Sequence, residues 1–199
     1  MEVRKMVMGM FGTNTYMLRE NDDVILIDPA SKAEKLIEML EEKRLLAVLL
    51  THGHFDHIKA VDGLYDRYHM PVYINEADEE LCRDKAQSTA FNLPFSPAVT
   101  CPVKHLKEGT MSIGPFDFEV IFTPGHTKGS VCYKFEDCIF TGDTLFAGSA
   151  GRTDLKGGDD RELKASLRIL KELDEELIVY PGHEKTTVLK DEIKHNPYM

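Results

Sequence analysis

The chain has 199 residues and a formal charge of −10 at pH 7, with 42% hydrophobic and 29% charged residues. That balance fits a globular protein with its own core, and the acidic surplus excludes bulk binding to nucleic acid or to an anionic membrane, both of which need basic surface. No apolar run approaches the ~18 residues of a membrane span, and Met1 to Met10 lacks a basic start followed by a long apolar stretch, so neither a spanning helix nor a secretory leader is expected.

The opening reads as strands. Val3 to Met10 leads through Gly12 into Thr15–Leu18, and Asn21-Asp22-Asp23 turns into the apolar run Val24–Ile27, which Asp28-Pro29 ends. Ser31-Lys32-Ala33-Glu34 has the form of a capping box. It predicts a helix with Ala33, Leu36, Ile37 and Leu40 on one face. Ala47–Leu50 is a short buried strand. Ile58, Val61, Leu64, Tyr65 and Tyr68 recur at helical spacing, followed by a strand at Val72–Ile74 and a polar helix from about Asn75.

From Lys85 to Pro102 the rhythm breaks around Phe91, Leu93 and Phe95, as in a lid, a pocket wall, or a loop folded on its own core. Strands resume at Phe116–Phe122, Val131–Phe135 and Ile139–Phe140. A helix over Arg161–Leu173 turns Leu163, Leu167 and Leu170 inward, and Leu177–Tyr180 is a final strand. Strands and helices interleave and hairpins are present, which predicts mixed sheets flanked by helices in one domain over residues 1–199. Cys82, Cys101, Cys132 and Cys138 form no Cys-x-x-Cys pair, and a chain of this size needs no disulfides. They are expected to be reduced thiols of a cytoplasmic protein.

One pattern occurs four times. Ala47–Leu50 runs into Thr51-His52-Gly53-His54-Phe55-Asp56-His57. Glu119–Phe122 runs into Thr123-Pro124-Gly125-His126. Cys138-Ile139-Phe140 runs into Thr141-Gly142-Asp143, and Ile178-Val179-Tyr180 into Pro181-Gly182-His183. Each time a buried strand stops at a glycine-containing turn and a metal-ligating residue type follows. Ends of adjacent strands lie ~5 Å apart, so four such ends on neighbouring strands would gather these side chains around one or two ions. A single histidine after a strand is ordinarily structural, Asp56 alone could cap the following helix, and Asp143 alone could be a turn residue. But five of the eight histidines fall in such turns, while His69, His105 and His195 do not. That concentration points to one shared metal site.

At these residues the sequence resembles the metallo-β-lactamase superfamily. His52, His54, Asp56 and His57 as His-x-His-x-Asp-His, followed by His126, Asp143 and His183, match the family set in order and approximate spacing along essentially the whole chain. The resemblance implies an α/β fold, an αββα four-layer sandwich of two mixed β-sheets. It implies that His52, His54 and His126 hold a first metal and Asp56, His57 and His183 a second, with Asp143 bridging. Asp56 and Asp143 would then be the catalytic carboxylates. Asp28 would support the site from behind a ligand, or else only shape its Asp-Pro turn.

Imidazole and carboxylate donors suit two divalent ions, zinc first, with iron or manganese as alternatives. A metal pair would activate a water for attack on a carbonyl. No Gly-x-Ser-x-Gly elbow and no P-loop is present. The stretch Leu145 to Asp154 looks like a segment of glyoxalase II-like hydrolases and of persulfide dioxygenases, and Asn196-Pro197-Tyr198-Met199 is similar to the end of small single-domain glyoxalase II-like proteins. By that resemblance Arg152 would bind a substrate carboxylate, the alternative being an ion pair with Asp154. Glyoxalase II proper adds a C-terminal helical domain for glutathione, and this chain stops about where the catalytic domain ends. The expectation is a metallo-hydrolase acting on a small acyl or thioester substrate, with a mononuclear iron persulfide dioxygenase or a lactonase as alternatives and the oligomeric state left open.

Overall fold

Alternation along the central strands sets the layers. In β3 (Asp23–Ile27), Val24 and Leu26 face one side while Ile25 and Ile27 face the other, and all four are buried. A strand buried on both faces reads as a continuous apolar run, and it requires a layer above and a layer below. The computed structural model describes residues 1–41, 43–84 and 98–199.

The first sheet takes the order β1 (Glu2–Met8), β2 (Thr13–Glu20), β3, β4 (Arg44–Leu49), β5 (Val72–Ile74), β6 (Lys104–His105). Its first three strands pair antiparallel and the rest parallel. In the second sheet the order is β14 (Thr187–Val188), β13 (Ile178–Pro181), β10 (Cys138–Gly142), β9 (Val131–Lys134), β8 (Phe116–Phe122), β7 (Gly109–Ile113). There β10 and β13 are parallel and the other pairs antiparallel. A small ribbon joins β11 (Leu145–Phe146) to β12 (Ser149–Ala150).

Three apolar clusters hold four layers together. Tyr16, Ile25 and Leu49 meet Phe118, Tyr133 and Phe140 between the sheets. Leu36 and Leu40 of α1 (Ala33–Leu40) and Leu64 of α3 (Val61–Tyr68) cover the outer face of the first sheet. Leu163, Leu167 and Leu170 of α5 (Asp160–Lys171) cover the second, joined by Leu189 of α6 (Leu189–His195). Each such leucine contributes about 1.5–3 kcal/mol by leaving water. The architecture is the expected αββα sandwich.

Three local expectations are corrected. The capping box does not form: α1 is capped by Lys32, whose φ of 57° is left-handed, and no side chain bonds at that end. Ser31 lies one residue too early to serve as the cap. The helical spacing from Ile58 to Tyr68 spans two helices, α2 (Phe55–Ile58) and α3, broken at Lys59-Ala60, where the Ala60 N–H donates to Pro29 O at 2.9 Å. The four ligand-bearing strand ends are also not neighbours in one sheet. β4 lies in the first sheet, and β8, β10 and β13 lie in the second. Asn75 does open a polar helical stretch, accepting from the Ala77 N–H, with a 3-10 turn at Glu76–Asp78 before α4 (Glu79–Arg83). The apolar stretch around Phe91, Leu93 and Phe95 lies outside the described residues.

Candidate metal centre

Chain direction brings the turns together. β3 and β4 run parallel, so Asp28 and Thr51 leave the first sheet side by side. β10 and β13 run parallel, and β8 shares their direction across β9, so His126, Asp143 and His183 leave the second sheet at one rim. Backbone bonds join the two rims there: Asn14 N–H to Gly182 O at 2.7 Å and Val131 N–H to Thr51 O at 2.9 Å.

All seven expected side chains converge at this rim. The donor atoms of His52, His54 and His126 lie within 4.8 Å of one another, and so do those of Asp56, His57 and His183. Asp143 faces both groups. Its Oδ1 is 3.5 Å from His57 Nε2, and its Oδ2 is 3.5 Å from His126 Nε2 and 3.4 Å from His183 Nε2. Gly182 permits this approach, since a Cβ there would run into Asp143 Oδ1.

Outward partners orient the imidazoles. His57 Nδ1 lies 2.9 Å from Asp28 Oδ2, His126 Nδ1 2.7 Å from Arg152 O, and His183 Nδ1 3.2 Å from Phe11 O. His52 Nδ1 lies 3.0 Å from Thr51 Oγ1, whose own proton goes to Asp28 Oδ2 at 2.6 Å. Each Nδ1 therefore donates, and in the neutral ring each Nε2 carries its lone pair inward. His54 is the exception: its Nδ1 points inward, 2.9 Å from His126 Nε2.

The electrostatics follow the geometry. Burial raises the Asp56 carboxyl, but His57 and a hydrogen bond from His183 bring it down to about 2. Burial also raises Asp143, and His57, His183 and His126 outweigh it and hold that carboxyl well below its ordinary value. Burial lowers His57 and His183, yet Asp56, Asp143 and Asp28 lift His57 to about 9, and Asp143 with Asp56 lifts His183 to about 10. His52 falls well below its ordinary value through burial and the neighbouring His57, and burial with His126 brings His54 to about 3. Two anionic carboxylates thus draw positive charge onto His57 and His183, while burial keeps His52 and His54 neutral.

A metal fits this set. His52 Nε2, His57 Nε2 and Asp143 Oδ1 are buried without a hydrogen-bond partner. Unsatisfied buried polar atoms are costly, and all three point into the cluster. The donor types are those of zinc, iron or manganese sites.

Asp28 does more than shape its turn. At φ 49° it accepts from Thr51 N–H, Thr51 O–H and His57. The Arg152 guanidinium makes a two-point ion pair with Asp154, 2.7 Å at each contact, while its carbonyl orients His126. Asp56 does not cap α2; it accepts from Thr13 Oγ1 at 2.7 Å. The sequence pattern does not mark Thr13, nor the buried Asp78, which bonds to the turns bearing His52, His54 and His126. Neither residue belongs to a motif, and only non-local packing brings them to the site.

Comparison with known proteins gives the family and the fold. A family model described as the metallo-beta-lactamase superfamily matches residues 8–183. The probable metallo-hydrolase YqgX of Bacillus subtilis is 37% identical over 100% of this chain and 98% of its own. The hydroxyacylglutathione hydrolase GloC of Haemophilus influenzae is 34% identical over 90% and 89%. Among solved structures, BLEG-1, titled a B3 metallo-beta-lactamase, superposes with a TM-score of 0.92 at 39% identity, covering 99% of both chains. TTHA1623 in a di-iron-bound form gives 0.88 at 36% over 99% and 100%. ETHE1 from Myxococcus xanthus gives 0.83 at 30% over 99% and 84%.

Proposed function

The chain belongs to the metallo-β-lactamase superfamily, and from that premise we propose that it is a dinuclear metallo-hydrolase cleaving a small thioester of the hydroxyacylglutathione type. The observation that carries this reading is Asp143, a single carboxylate facing both donor groups at 3.4–3.5 Å. In this reading His52, His54 and His126 hold one ion and Asp56, His57 and His183 the other, with Asp143 between them and zinc the preferred metal. Residues 1–199 act as one domain. The four free, buried cysteines favour a cytoplasmic setting.

Such an ion pair, when bound, supplies Lewis acidity and a hydroxide at neutral pH. The chain's own groups do the rest. Asp56 and Asp143 carry the negative charge that keeps cations in place. Thr13 donates to Asp56 Oδ2 and so holds that oxygen as an acceptor. His183 is the most exposed of the cluster's imidazoles, its side chain 22% accessible, so substrate reaches the site past it. Phe146, with its ring centroid 6.0 Å from that of His183, and the edge-to-face pair Phe11 and Phe55 wall the approach. The name of GloC supports the thioester class.

A second reading, a mononuclear iron persulfide dioxygenase, would use His52, His126 and Asp143. The di-iron form of TTHA1623 supports iron as an alternative metal, but with two ions and not one. Metal analysis of protein purified without added metal, beside three assays, decides. Zinc-loaded protein is expected to cleave a lactoylated thiol, to leave a β-lactam nearly untouched and to consume no oxygen. Activity confined to an iron form, with oxygen disappearing in step with persulfide, would establish the second reading. The β-lactam assay answers to BLEG-1, a B3 metallo-beta-lactamase of the same fold.

A further inference from the structure

We infer that Asp78 is the positioning residue of the first donor group: its buried carboxylate ties the turn holding His52 and His54 to the loop holding His126. Asp78 closes the Glu76–Asp78 turn shortly after β5 and is 1% exposed. Its Oδ2 accepts from Gly53 N–H at 2.9 Å and from Thr127 O–H at 2.7 Å, and its Oδ1 accepts from Gly129 N–H at 2.8 Å. Gly53 stands between His52 and His54, and Thr127 directly follows His126. One side chain therefore fixes the backbone on either side of the 2.9 Å approach of His54 Nδ1 to His126 Nε2.

The glycines record how closely Asp78 is packed. A Cβ at Gly53 would lie 2.9 Å from Asp78 O, and one at Gly129 would lie 2.7 Å from Asp78 Cβ. Both turns are closed down onto this residue. Thr127 is held in turn by Ser130, whose Oγ lies 2.7 Å from Thr127 Oγ1 and 3.1 Å from its N–H.

Asp28 makes a contrasting set of bonds, to Thr51 and His57, and Thr13 bonds Asp56. Asp28 therefore reaches both groups, His57 directly and His52 through Thr51, whereas Asp78 bonds only at the first. Among the described residues no hydrogen bond joins Asp78 to Asp56, His57 or His183, so its effect is expected to centre on the first donor group. A group that orients ligands changes metal affinity about 10–100-fold when lost, whereas a merely structural cross-link affects both groups alike.

This inference rests on the two-metal reading, and its test separates the two. Two full-length backgrounds are needed: Asp56→Ala with His183→Ala, which keeps the first group, and His54→Ala with His126→Ala, which keeps His57 and its neighbours. Zinc affinity is measured in each by competition with a chromophoric chelator, with and without Asp78→Asn. The expected result is a loss of about tenfold or more in the first background and less than about threefold in the second. No loss in the first, or equal losses in both, overturns the inference. If the first background binds no zinc before Asp78 is altered, the metal reading itself fails and this inference falls with it. If Asp78→Asn does not fold, Thr127→Val decides, since it removes one donor to Asp78 and the Ser130 contact while leaving the carboxylate in place. It is expected to weaken zinc in the first background by about threefold or more, and an unchanged affinity overturns the proposal.

Discussion

The Thr13 hydroxyl donates to Asp56 Oδ2 at 2.7 Å, joining the first residue of β2 to a carboxylate on α2. Thr13 is fully buried, and valine has nearly its shape. Thr13→Val should therefore leave the strand intact and free one carboxylate oxygen to rotate. The expected outcome is about a tenfold weaker hold on the ion of the second group, seen as its selective loss during dialysis against a mild chelator. Retention of full metal content would show that the hydroxyl does not orient Asp56.

Gly182 offers a second test. A Cβ there would run into Asp143 Oδ1 and sit 2.9 Å from His57 Cε1. Gly182→Ala is expected to displace the shared carboxylate, lowering turnover by about a hundredfold or more. The cost in stability should stay within the about 1–3 kcal/mol of an overpacked site. Turnover and a melting curve measured together check both parts, and wild-type turnover would remove Asp143 from the position assigned to it.

Arg152 is half exposed in its ion pair with Asp154, and exposed pairs add little to stability. Arg152→Ala should leave the melting temperature unchanged. With an anionic thioester it should raise KM more than it lowers kcat, because a substrate carboxylate would be held equally in the ground and transition states. An unchanged KM would assign the guanidinium to Asp154 alone.

Burial pushes the thiols of Cys82, Cys101, Cys132 and Cys138 up to about 12. At pH 8 only roughly one thiol in ten thousand would be ionised, and the thiolate is the reactive form. A chromogenic disulfide reagent should label the native chain slowly and all four thiols promptly in denaturant. Fast labelling of the folded protein would contradict the packing of those cysteines.

The seven side chains of the candidate metal site are legible because each lies in a glycine-containing turn after an apolar strand, a local pattern. The layering was legible from the doubly apolar runs such as Val24–Ile27. What escaped was non-local or too short to leave a period. Nothing in Ala47–Leu50 says that β4 lies in the opposite sheet from β8, β10 and β13, since strand pairing is decided far along the chain. Apolar spacing continues from Ile58 into Val61 across the break at Lys59-Ala60, so periodicity cannot register that break. The misread cap at Ser31 turned on one left-handed residue, Lys32. Short strands such as Lys104–His105 and Thr187–Val188 carry no alternation to detect.

The two sheets contribute separately to the rim where Asn14 meets Gly182 and Thr51 meets Val131. A chain with undocked sheets therefore offers an ion only fragments of a site. Binding is then linked to docking: an ion present at a hundred times its dissociation constant adds about 2.7 kcal/mol to the folded state and nothing to the open one. The free-metal level becomes a variable of folding, and heat resistance measured in chelator and in zinc should diverge by that linkage. A cell short of the ion would hold this protein closer to its unfolding threshold, so its abundance would follow metal supply even where its synthesis did not.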